Sequence, residues 1–489
     1  AYRNLMALAT ERVRFLSTRR CRHFLASIAP RLLEAINDTP DPDGTLVNLV
    51  KVSDSLGGKA VLWELFSFNP PSLELYVRLC GASNYLANIL TSHPGMIDEL
   101  LDSLLLDKLP SRQSLDATLR DLTRHAEDLL PIVQSFKNAQ HLRVGVRDIL
   151  GRDDIEQTHA TLADIAEVIL CQIAAIEFRR LEDKYGQPSV GDGPRKGEPC
   201  ELVILTMGKL GGREPNYHSD LDVVFLYESE GTTKPIRPSQ KSRVTSNQHF
   251  FSELGQRIIS TMNHAGPQGR LYELDPRLRP TGSSGPLAVS LDEFERYFAH
   301  GQGRLWERQA LCKARPIFGT GDACERVNDL VRKIILNPPW HSRDAAEIRK
   351  MRHRLEETAS KLNLKRGRGG TVDIEFVVEM LQMKHVAKNP DVMQPGTLAA
   401  LAALREGGHL NEKDFTFFDG AYRFLRNVES HLRLMNTTAR HDLPDNETEL
   451  NKLAWLLGFP SGEALATQTG EITEATRDAF NRVFDAAVG

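Results

Sequence analysis

The stretch Glu201–Glu228, ELVILTMGKLGGREPNYHSDLDVVFLYE, determines how the rest of the chain is interpreted. Its first apolar run, Leu202–Leu205, ends at a group of three glycines, which predicts a buried strand followed by a tight turn. A second apolar run, Ser219–Leu226, opens with Asp220 and Asp222 and predicts another buried strand. The stretch therefore predicts two strands separated by a glycine turn, with two acids at the start of the second strand.

The two acids favour a site for a metal ion. Asp220 and Asp222 are two residues apart, and side chains at that spacing project from the same face of a strand. Two carboxylates so close repel each other, so one stays protonated unless a cation lies between them. Magnesium takes oxygen ligands and commonly shares them with substrate phosphates. Asp-x-Asp alone is more often a turn former, but its combination with a glycine turn predicts a phosphate and metal site.

A third acid and two arginines follow in Gly269–Pro280, GRLYELDPRLRP, which is predicted to be a third strand. By itself, Asp275 is expected to cap the following turn. After the first two acids it becomes the natural third carboxylate of the same site. Arg277 and Arg279 come next, and a guanidinium group matches the geometry of phosphate oxygens. A short fourth strand is predicted over Pro286–Ser290.

Helical patterns flank this central part. Before residue 190, apolar residues recur at intervals of three and four, with a long helix predicted over Ile155–Tyr185. The stretch Gln187–Pro199, rich in glycine, proline and charge, is predicted to be a surface linker and a domain boundary. We expect a predominantly helical α+β protein in three parts: a helical region over 1–190, a catalytic domain with a small mixed sheet over 191–320, and a helical domain over 321–489.

Two stretches outside the acidic segments are also predicted to contain helices near the site. The basic glycine loop at the start of Leu364–Phe376 runs into a helix opened by Thr371, and a helix N terminus attracts anions. Asp373, in the first turn, is expected mainly to complement the helix dipole. Leu305–Arg315 is predicted to be a helix behind the site, with Trp306 in the core.

Composition narrows the class of protein. A net charge of −4 and a pI near 6.5 argue against general nucleic-acid binding. No apolar run approaches the length of a membrane span, and the start of the chain has no signal-peptide pattern. The six cysteines are scattered without paired ligand spacing, which suits a reducing compartment and argues against zinc. We therefore expect a cytoplasmic protein without a nucleic-acid or membrane partner.

The motifs resemble those of the glutamine synthetase adenylyltransferases, bacterial enzymes of the DNA polymerase beta-like nucleotidyltransferase superfamily. The resemblance rests on Gly208–Glu214 (GKLGGRE), Ser219–Asp222 (SDLD), the Arg-Leu-Arg element after Asp275, and the Gly-Gly-x-x-Asp-Ile-Glu-Phe element that ends at Phe376. Members of this family carry two related catalytic halves with a helical regulatory region between them. One half attaches AMP to a tyrosine of glutamine synthetase, and the other removes it by phosphorolysis.

The resemblance implies roles for particular residues. Mg²⁺ is expected at Asp220, Asp222 and Asp275, with ATP as the substrate and Asp275 accepting the proton of the attacking group. Nucleotide contacts are expected at seven further positions, and which glycine faces the phosphates is left open: Gly208, Lys209, Gly211, Gly212, Ser219, Arg277 and Arg279.

The adenylylating half is the closer match. A regulatory-like helical region precedes the catalytic motifs, and Tyr272–Asp275 and Asp373–Phe376 resemble that half, whereas Pro286–Ser290 and Leu425–Glu429 resemble the other. We therefore expect Mg²⁺-dependent transfer of AMP from ATP to glutamine synthetase, with release of pyrophosphate, in the control of nitrogen assimilation. The alternatives are phosphorolytic removal of AMP and a non-catalytic nucleotide-sensing module, against which the three intact acids count.

The resemblance also implies partners. The family is controlled by glutamine and by the PII signal protein, so both are expected regulators beside the protein substrate, glutamine synthetase. The stretch Leu46–Leu106 resembles the regulatory region that precedes the second catalytic half.

Overall fold

The structure is a computed structural model that describes residues 1–13, 16–97, 108–236, 243–266 and 269–488. Helices dominate it and the sheets are small and mixed, so the predicted class, a predominantly helical α+β fold, is confirmed. The predicted regulatory stretch Leu46–Leu106 is described only as far as residue 97. Among the described residues, no helix combines the length and the apolar character needed to cross a bilayer.

A series of helices precedes the main sheet, and it ends in a helix with the predicted bounds. The helices are α1 (Tyr2–Leu8), α2 (Thr18–Asn37), α3 (Pro42–Ser55), α4 (Lys59–Phe68), α5 (Pro70–Ala82), α6 (Asn84–Ser92), α7 (Arg112–Thr123), α8 (Leu129–Ile149) and α9 (Ile155–Tyr185), with a 3-10 turn at Pro94–Met96. A capping box formed by Asp154 and Gln157 starts α9, and Gly186, at φ 86°, ends it.

Two of these helices begin at a proline after a short break. Helix α3 begins at Pro42 and α5 at Pro70. Proline suits the first turn of a helix because no partner exists there for the N–H group that it lacks. The side chain of Asp41 caps α3 by accepting a hydrogen bond from the N–H of Gly44 (2.9 Å).

The main sheet contains β2 (Leu202–Thr206), β3 (Leu221–Tyr227), β7 (Leu274–Asp275), β8 (Ala288–Ser290) and β9 (Arg315–Phe318). Strand β3 is antiparallel to β2 and parallel to both β7 and β8, and β9 pairs with the other edge of β2. Two smaller pairs complete the strands: β1 (Gln187–Pro188) with β4 (Thr233–Lys234), and β5 (Ala265–Gly266) with β6 (Gly269–Arg270). The helices that follow these strands within the segment are α10 (Gly208–Gly211), α11 (Asn247–Asn263), α12 (Leu291–Ala299) and α13 (Leu305–Ala310), with 3-10 turns at Gly282–Ser284 and Leu311–Lys313.

The two faces of the sheet pack against different helices. Leu202 and Ile204 of β2 join the core formed with the N-terminal helices, whereas Val203 and Leu205 join the core formed with the C-terminal helices. Strand β3 alternates in the same way, so that Val224 and its neighbour Leu226 lie on the C-terminal face. The sheet is therefore the middle layer between two helical layers.

Three predictions within this segment are wrong in detail. The glycine turn after β2 is the short helix α10. The predicted third strand over 269–280 is split into β6 and β7, and Pro276, which cannot donate a ladder hydrogen bond, follows β7 directly. The helix predicted over 305–315 stops at Ala310, and β9 begins at Arg315.

The predicted surface linker 187–199 is partly ordered by backbone pairing. Strand β1 pairs with β4, and Ser189 bridges to Pro199. Val190 is buried within this segment. The stretch is therefore packed against the segment that carries the main sheet, and the proposed domain boundary within it stays a prediction.

The C-terminal helices surround one helix that is buried on every side. They are α14 (Gly321–Leu336), α15 (Ser342–Glu357), α16 (Thr371–His385), α17 (Thr397–Glu406), α18 (Glu412–Met435), α19 (Glu447–Leu456) and α20 (Gly462–Val488), with a 3-10 turn at Pro390–Val392. Every residue of α16 from Thr371 to Met383 is buried. The expectation that Asp373 mainly complements the helix dipole is wrong, because its carboxylate is buried and forms ion pairs with Arg352 and Arg477.

Candidate active site

The fold brings the three predicted acids together. Asp222 lies directly opposite Asp275 in the parallel pairing of β3 with β7, and Asp220 precedes β3. Since Asp222 alternates in phase with Val224, it projects toward the C-terminal helices. The three carboxylates, which we call the acidic wall, line a cleft of about 370 Å³.

The acidic wall carries uncompensated negative charge. Burial, followed by the charges of Asp220 and Asp275, raises the pKa of Asp222 to about 7. Neither Asp220 nor Asp222 forms an ion pair with any residue that the structure describes. Oxygen donors that repel each other in this way fit a hard divalent cation, which would relieve the repulsion.

The carboxylate of Asp275 accepts hydrogen bonds from an arginine, Arg277. Arg277 Nε lies 2.8 Å from both carboxylate oxygens of Asp275, and the backbone N–H of Arg277 donates to the same carboxylate (2.9 Å). These hydrogen bonds lower the pKa of Asp275. Within the described ranges no three acidic, histidine or cysteine side chains are arranged as a ready-made metal site. The Arg277 side chain is 75% exposed, so it can leave Asp275 at little steric cost.

Gly208 permits the turn after β2 to approach the acidic wall. Its φ of 52° is in the left-handed region, and a Cβ at this position would lie 2.4 Å from Oδ2 of Asp222. Lys209 borders the cleft, where its Nζ donates to Glu375 and to the hydroxyl of Tyr422 (2.9 Å). Burial lowers the pKa of Lys209 to about 8, although Glu375 opposes that shift.

The other predicted nucleotide contacts divide into two groups. Ser219 lines the cleft and accepts a hydrogen bond from Arg433 (3.2 Å), and Arg277 lines it beside Asp275. Arg279 is buried and donates to the carbonyls of Pro276 (2.8 Å) and Pro286 (3.0 Å), so it holds the chain after β7 in place.

Gly211 and Gly212 lie behind the cleft. A Cβ at Gly211 would meet the carbonyl oxygen of Lys313 at 1.8 Å, and one at Gly212 would meet that of Pro395 at 2.9 Å. Both glycines line a separate cavity of about 260 Å³ that contains none of the acidic wall. The structure thus places these two glycines where backbone segments pack closely and not beside the three acids.

A second wall of the cleft consists of cations from the C-terminal helical region. Lys365 and Arg366 come from the basic loop before α16, and Arg426 and Arg433 come from α18; we call these four residues the basic wall. Among the described residues, the side chains of Lys365 and Arg366 have no ion-pair partner. Among the described residues, the cleft therefore sets two carboxylates without an ion pair, Asp220 and Asp222, against two cations without one, Lys365 and Arg366.

The two arginines of the basic wall are held by hydrogen bonds. Arg426 donates to the carbonyl oxygen of Glu214, and Arg433 donates to that of Tyr217 (3.1 Å). Glu429 lies between them on α18, and although burial opposes ionisation, Arg426 and its other partners lower its pKa well below the usual range. Sequence patterns predicted no site role for either arginine. Their seven-residue spacing, about two helical turns, is the local signal that both side chains project from the same face of α18.

The prediction that Trp306 belongs to the core is wrong. Its side chain is 37% exposed and lines the cleft near Leu278. Trp306 lies in the first turn of α13, a helix of six residues, where one side faces the cleft and the other faces α15. An aromatic surface is therefore available at the edge of the charged cleft.

A buried polar cluster joins the turn after β2 to the C-terminal helices. Glu214 accepts hydrogen bonds from Lys313 Nζ (3.1 Å), Tyr422 Oη (2.8 Å) and Thr397 Oγ1 (3.1 Å). Burial opposes its ionisation, but Lys313, Lys209 and other cations outweigh this and hold the pKa of Glu214 well below its usual range. This cluster fixes the acidic wall relative to the basic wall.

Comparison with known proteins agrees with this arrangement. The family model described as glutamate-ammonia ligase adenylyltransferase matches residues 73–329, more than half of the chain and the whole of the main sheet. A second model, described as GlnD PII-uridylyltransferase, matches residues 342–484, which include the basic wall. Both descriptions are of nucleotidyl-transferring enzymes, the class that the opposed acidic and basic walls suit.

The chain belongs to the family of glutamate-ammonia ligase adenylyltransferases. It is similar to the bifunctional glutamine synthetase adenylyltransferase/adenylyl-removing enzymes of Thioalkalivibrio sulfidiphilus (33% identity over 91% of this chain and 46% of the relative) and Pseudomonas aeruginosa (31%, over 84% and 44%). The enzyme of Shewanella frigidimarina is 30% identical over 82% of this chain and 42% of its own length. The chain thus spans less than half the length of these relatives.

Proposed function

We propose that this chain transfers AMP from ATP to a tyrosine of glutamine synthetase and releases pyrophosphate, with Mg²⁺ as the cofactor. The observation that supports this most strongly is the opposition of the acidic wall to the basic wall across one cleft of about 370 Å³. In a complex of a nucleoside triphosphate with a divalent cation, the cation would compensate the acidic wall and the phosphates would compensate the basic wall. The choice of glutamine synthetase as the protein substrate rests on the names of the relatives.

The acidic wall would hold the cation. Asp220 and Asp222 have no ion-pair partner in the part of the chain that the structure describes, and Asp275 becomes available when Arg277 turns away from it. When bound, Mg²⁺ would neutralise negative charge that develops on the phosphate oxygens during transfer. The raised pKa of Asp222, about 7, is the mark of a carboxylate that needs such a partner.

The basic wall and Arg277 would bind the triphosphate. Lys365 and Arg366 have no carboxylate partner among the described residues, so binding a phosphate would not require breaking an ion pair. Arg277 can exchange Asp275 for a phosphate oxygen because a guanidinium binds both anions in the same geometry. Trp306 offers an apolar surface for the base at the edge of the cleft.

Transfer is a substitution at the α-phosphorus. The phenol oxygen of the acceptor tyrosine forms a bond to that phosphorus, and the bond to the bridging oxygen of the leaving pyrophosphate breaks. A phenol has a pKa of about 10, so it needs a base near neutral pH. We assign the proton to Asp275, whose oxygens are freed when Arg277 turns to the nucleotide.

A two-arm assay tests the proposal. In the first arm the chain is incubated with glutamine synthetase, Mg²⁺ and ATP labelled in the α-phosphate, and label on glutamine synthetase is scored together with pyrophosphate. In the second arm adenylylated glutamine synthetase is supplied with phosphate and no ATP. We expect label and pyrophosphate in the first arm only. ADP formed in the second arm alone would show the adenylyl-removing activity, and no turnover in either arm would favour a nucleotide-sensing module.

We also propose the broader assignments that accompany this function. They are a helical regulatory region over 1–190 that responds to glutamine and the PII signal protein, a catalytic domain over 191–320, a helical domain over 321–489, and a cytoplasmic location. The support is the resemblance of the motifs together with the packing of separate helical layers on the two faces of the sheet.

A further inference from the structure

A buried chain of aromatic and histidine side chains connects the N-terminal helices to the segment that carries Asp275. The hydroxyl of Tyr85, in α6, lies 2.8 Å from Nδ1 of His141, in α8. On the other side of the same imidazole, Nε2 lies 3.0 Å from the hydroxyl of Tyr272. His141 and Tyr272 are buried, so these hydrogen bonds are shielded from water.

Tyr272 is positioned to control the register of β7. It lies three residues before Asp275, and its N–H donates to the carbonyl of Met262 in α11 (3.2 Å). The carbonyl of the next residue, Glu273, accepts a hydrogen bond from the N–H of Leu221 (2.8 Å). This bond sets β7 beside β3, so a displacement of Tyr272 would move Asp275 relative to Asp222.

The same tyrosine of α6 also contacts the loop that carries Asp220. The ring of His218 lies edge-on to that of Tyr85, with 4.4 Å between centroids, and its Nε2 donates to the carbonyl of Asn436 (3.1 Å). His218 has a φ of 58°, a left-handed conformation that is uncommon for residues other than glycine. The surrounding contacts therefore hold His218 in a strained conformation two residues before Asp220.

The imidazole of His141 can hydrogen-bond to Tyr85 and Tyr272 at the same time, with one nitrogen as donor and the other as acceptor. Burial and the nearby charge of Lys137 lower its pKa well below the usual range, so the ring is neutral. A neutral imidazole donates through one nitrogen and accepts through the other, and each phenol can take the complementary role. Removal of either hydroxyl would leave a buried ring nitrogen without its partner.

We propose that Tyr85 and His141 are positioning residues for the acidic wall, acting on Asp220 through His218 and on Asp275 through Tyr272. The inference rests on the proposed function, since it takes the acidic wall as the cation site. It assigns the N-terminal helices a part in forming the site, in addition to any regulatory role. Groups that hydrogen-bond directly to metal ligands typically lower metal affinity or activity by roughly 10- to 100-fold when they are removed. Tyr272 and Tyr85 act on the acids at one remove, so we expect effects at or below the lower end of that range.

The test compares tyrosine-to-phenylalanine variants of the full chain by Mn²⁺ titration, followed by electron paramagnetic resonance of the free ion. Tyr272→Phe and Tyr85→Phe each remove one hydroxyl of the chain through His141. Tyr76→Phe is the matched control, because the hydroxyl of this buried tyrosine has no hydrogen-bond partner among the described residues. Thermal unfolding of each variant establishes that it is folded.

We expect Mn²⁺ affinity to fall about tenfold in Tyr272→Phe, to fall by a smaller factor in Tyr85→Phe, and to stay unchanged in Tyr76→Phe. In the transfer assay, the Mg²⁺ concentration for half-maximal rate should rise in parallel while the KM for glutamine synthetase stays constant. Wild-type affinity in folded Tyr272→Phe and Tyr85→Phe would overturn the inference and leave the proposed function standing. If the wild type itself bound no Mn²⁺, the metal site would be wrong, and the inference would fail with it.

Discussion

The acidic and basic walls of the cleft are built in different ways. Asp220, Asp222 and Asp275 come from adjacent strands of one small sheet, and their closeness follows from the pairing of β3 with β7. The basic wall joins a loop at Lys365 with the α18 residue Arg433, and helix packing alone brings these positions together. The comparison shows that strand pairing creates the repulsion, whereas the C-terminal helices supply the opposing charge.

The walls also differ in how their charges are balanced. Among the described residues, Asp275 is the only acid of the acidic wall with an ion-pair partner, the exposed Arg277. In the basic wall Arg426 and Arg433 are buried and hydrogen-bonded to protein groups, while Lys365 and Arg366 face the cleft without an ion pair in the described part of the chain. We therefore expect changes in the acidic wall to affect transfer most strongly, and changes in the basic wall to affect nucleotide affinity.

The largest effect is expected from Asp222→Asn. The variant keeps the shape of the side chain and removes the charge that a divalent cation would need, so transfer should fall at least about a hundredfold. Asp292→Asn, at an exposed position of α12, is the control and should leave the rate unchanged. Near-wild-type transfer by folded Asp222→Asn at saturating Mg²⁺ would remove the acidic wall from the reaction.

Gly208→Ala should disturb the acidic wall through the backbone. An alanine at a positive φ costs about 1–2 kcal/mol of stability, and here its Cβ would also meet Oδ2 of Asp222 at 2.4 Å. Gly301 has a φ of 72° with no atom within 4 Å of the added Cβ, so Gly301→Ala carries the backbone cost alone. Both variants should melt at lower temperature, but only Gly208→Ala should lose transfer, by roughly tenfold or more. Equal rates in the two would show that this contact does not matter.

A smaller effect is expected in the basic wall. Arg366→Gln removes a cation that faces the cleft, and the KM for ATP should rise by roughly fivefold, the equivalent of about 1 kcal/mol for a partly exposed ionic contact. The exposed Arg368 lies in the same loop outside the cleft, so Arg368→Gln controls for loop charge. Steady-state kinetics at varied ATP measures both. An identical rise in KM for the two variants would indicate a general charge effect.

The pH dependence of stability should reveal the pKa of Asp222, which burial and the charges of Asp220 and Asp275 raise. The pKa of Asp222 is raised from 3.8 to about 7, so the folded chain binds more protons than the unfolded chain across that interval. Its contribution to the free energy of unfolding therefore falls as pH rises toward 7. In metal-free buffer the wild type should lose a few degrees of melting temperature relative to Asp222→Asn between about pH 5 and about pH 8. The same pH dependence in both proteins would show that burial and the neighbouring acids do not raise the pKa of Asp222.

The sequence was most informative where function depends on neighbours in the chain. The apolar runs of β2 and β3 and the Asp-x-Asp spacing predict the acidic wall, because strand alternation is a local rule. The strand β9 was missed because Arg315 follows a helical pattern directly. The positions of Arg426 and Trp306 depend on tertiary packing, which neither periodicity nor spacing contains.

The difference between positions set by chain neighbours and positions set by tertiary packing also explains which predicted nucleotide contacts lie at the cleft. Gly208, Lys209, Ser219 and Arg277 lie at the cleft because they adjoin the acids in the chain or across a strand pair. Gly211 and Gly212 belong to the same glycine motif, but one helical turn directs them toward other backbone segments. A motif therefore locates a site more reliably than it predicts which of its residues contact the ligand.

A structure of the chain with Mg²⁺ and an ATP analogue that resists cleavage between the α- and β-phosphates tests the central claim most directly. We predict that the cation contacts Asp220 and Asp222, that the phosphates contact Lys365 and Arg366, and that Arg277 has left Asp275. The contradicting result is a nucleotide bound elsewhere, such as the cavity of about 1160 Å³ between α7, α9 and β9. In that case the opposed walls would not form the nucleotide site.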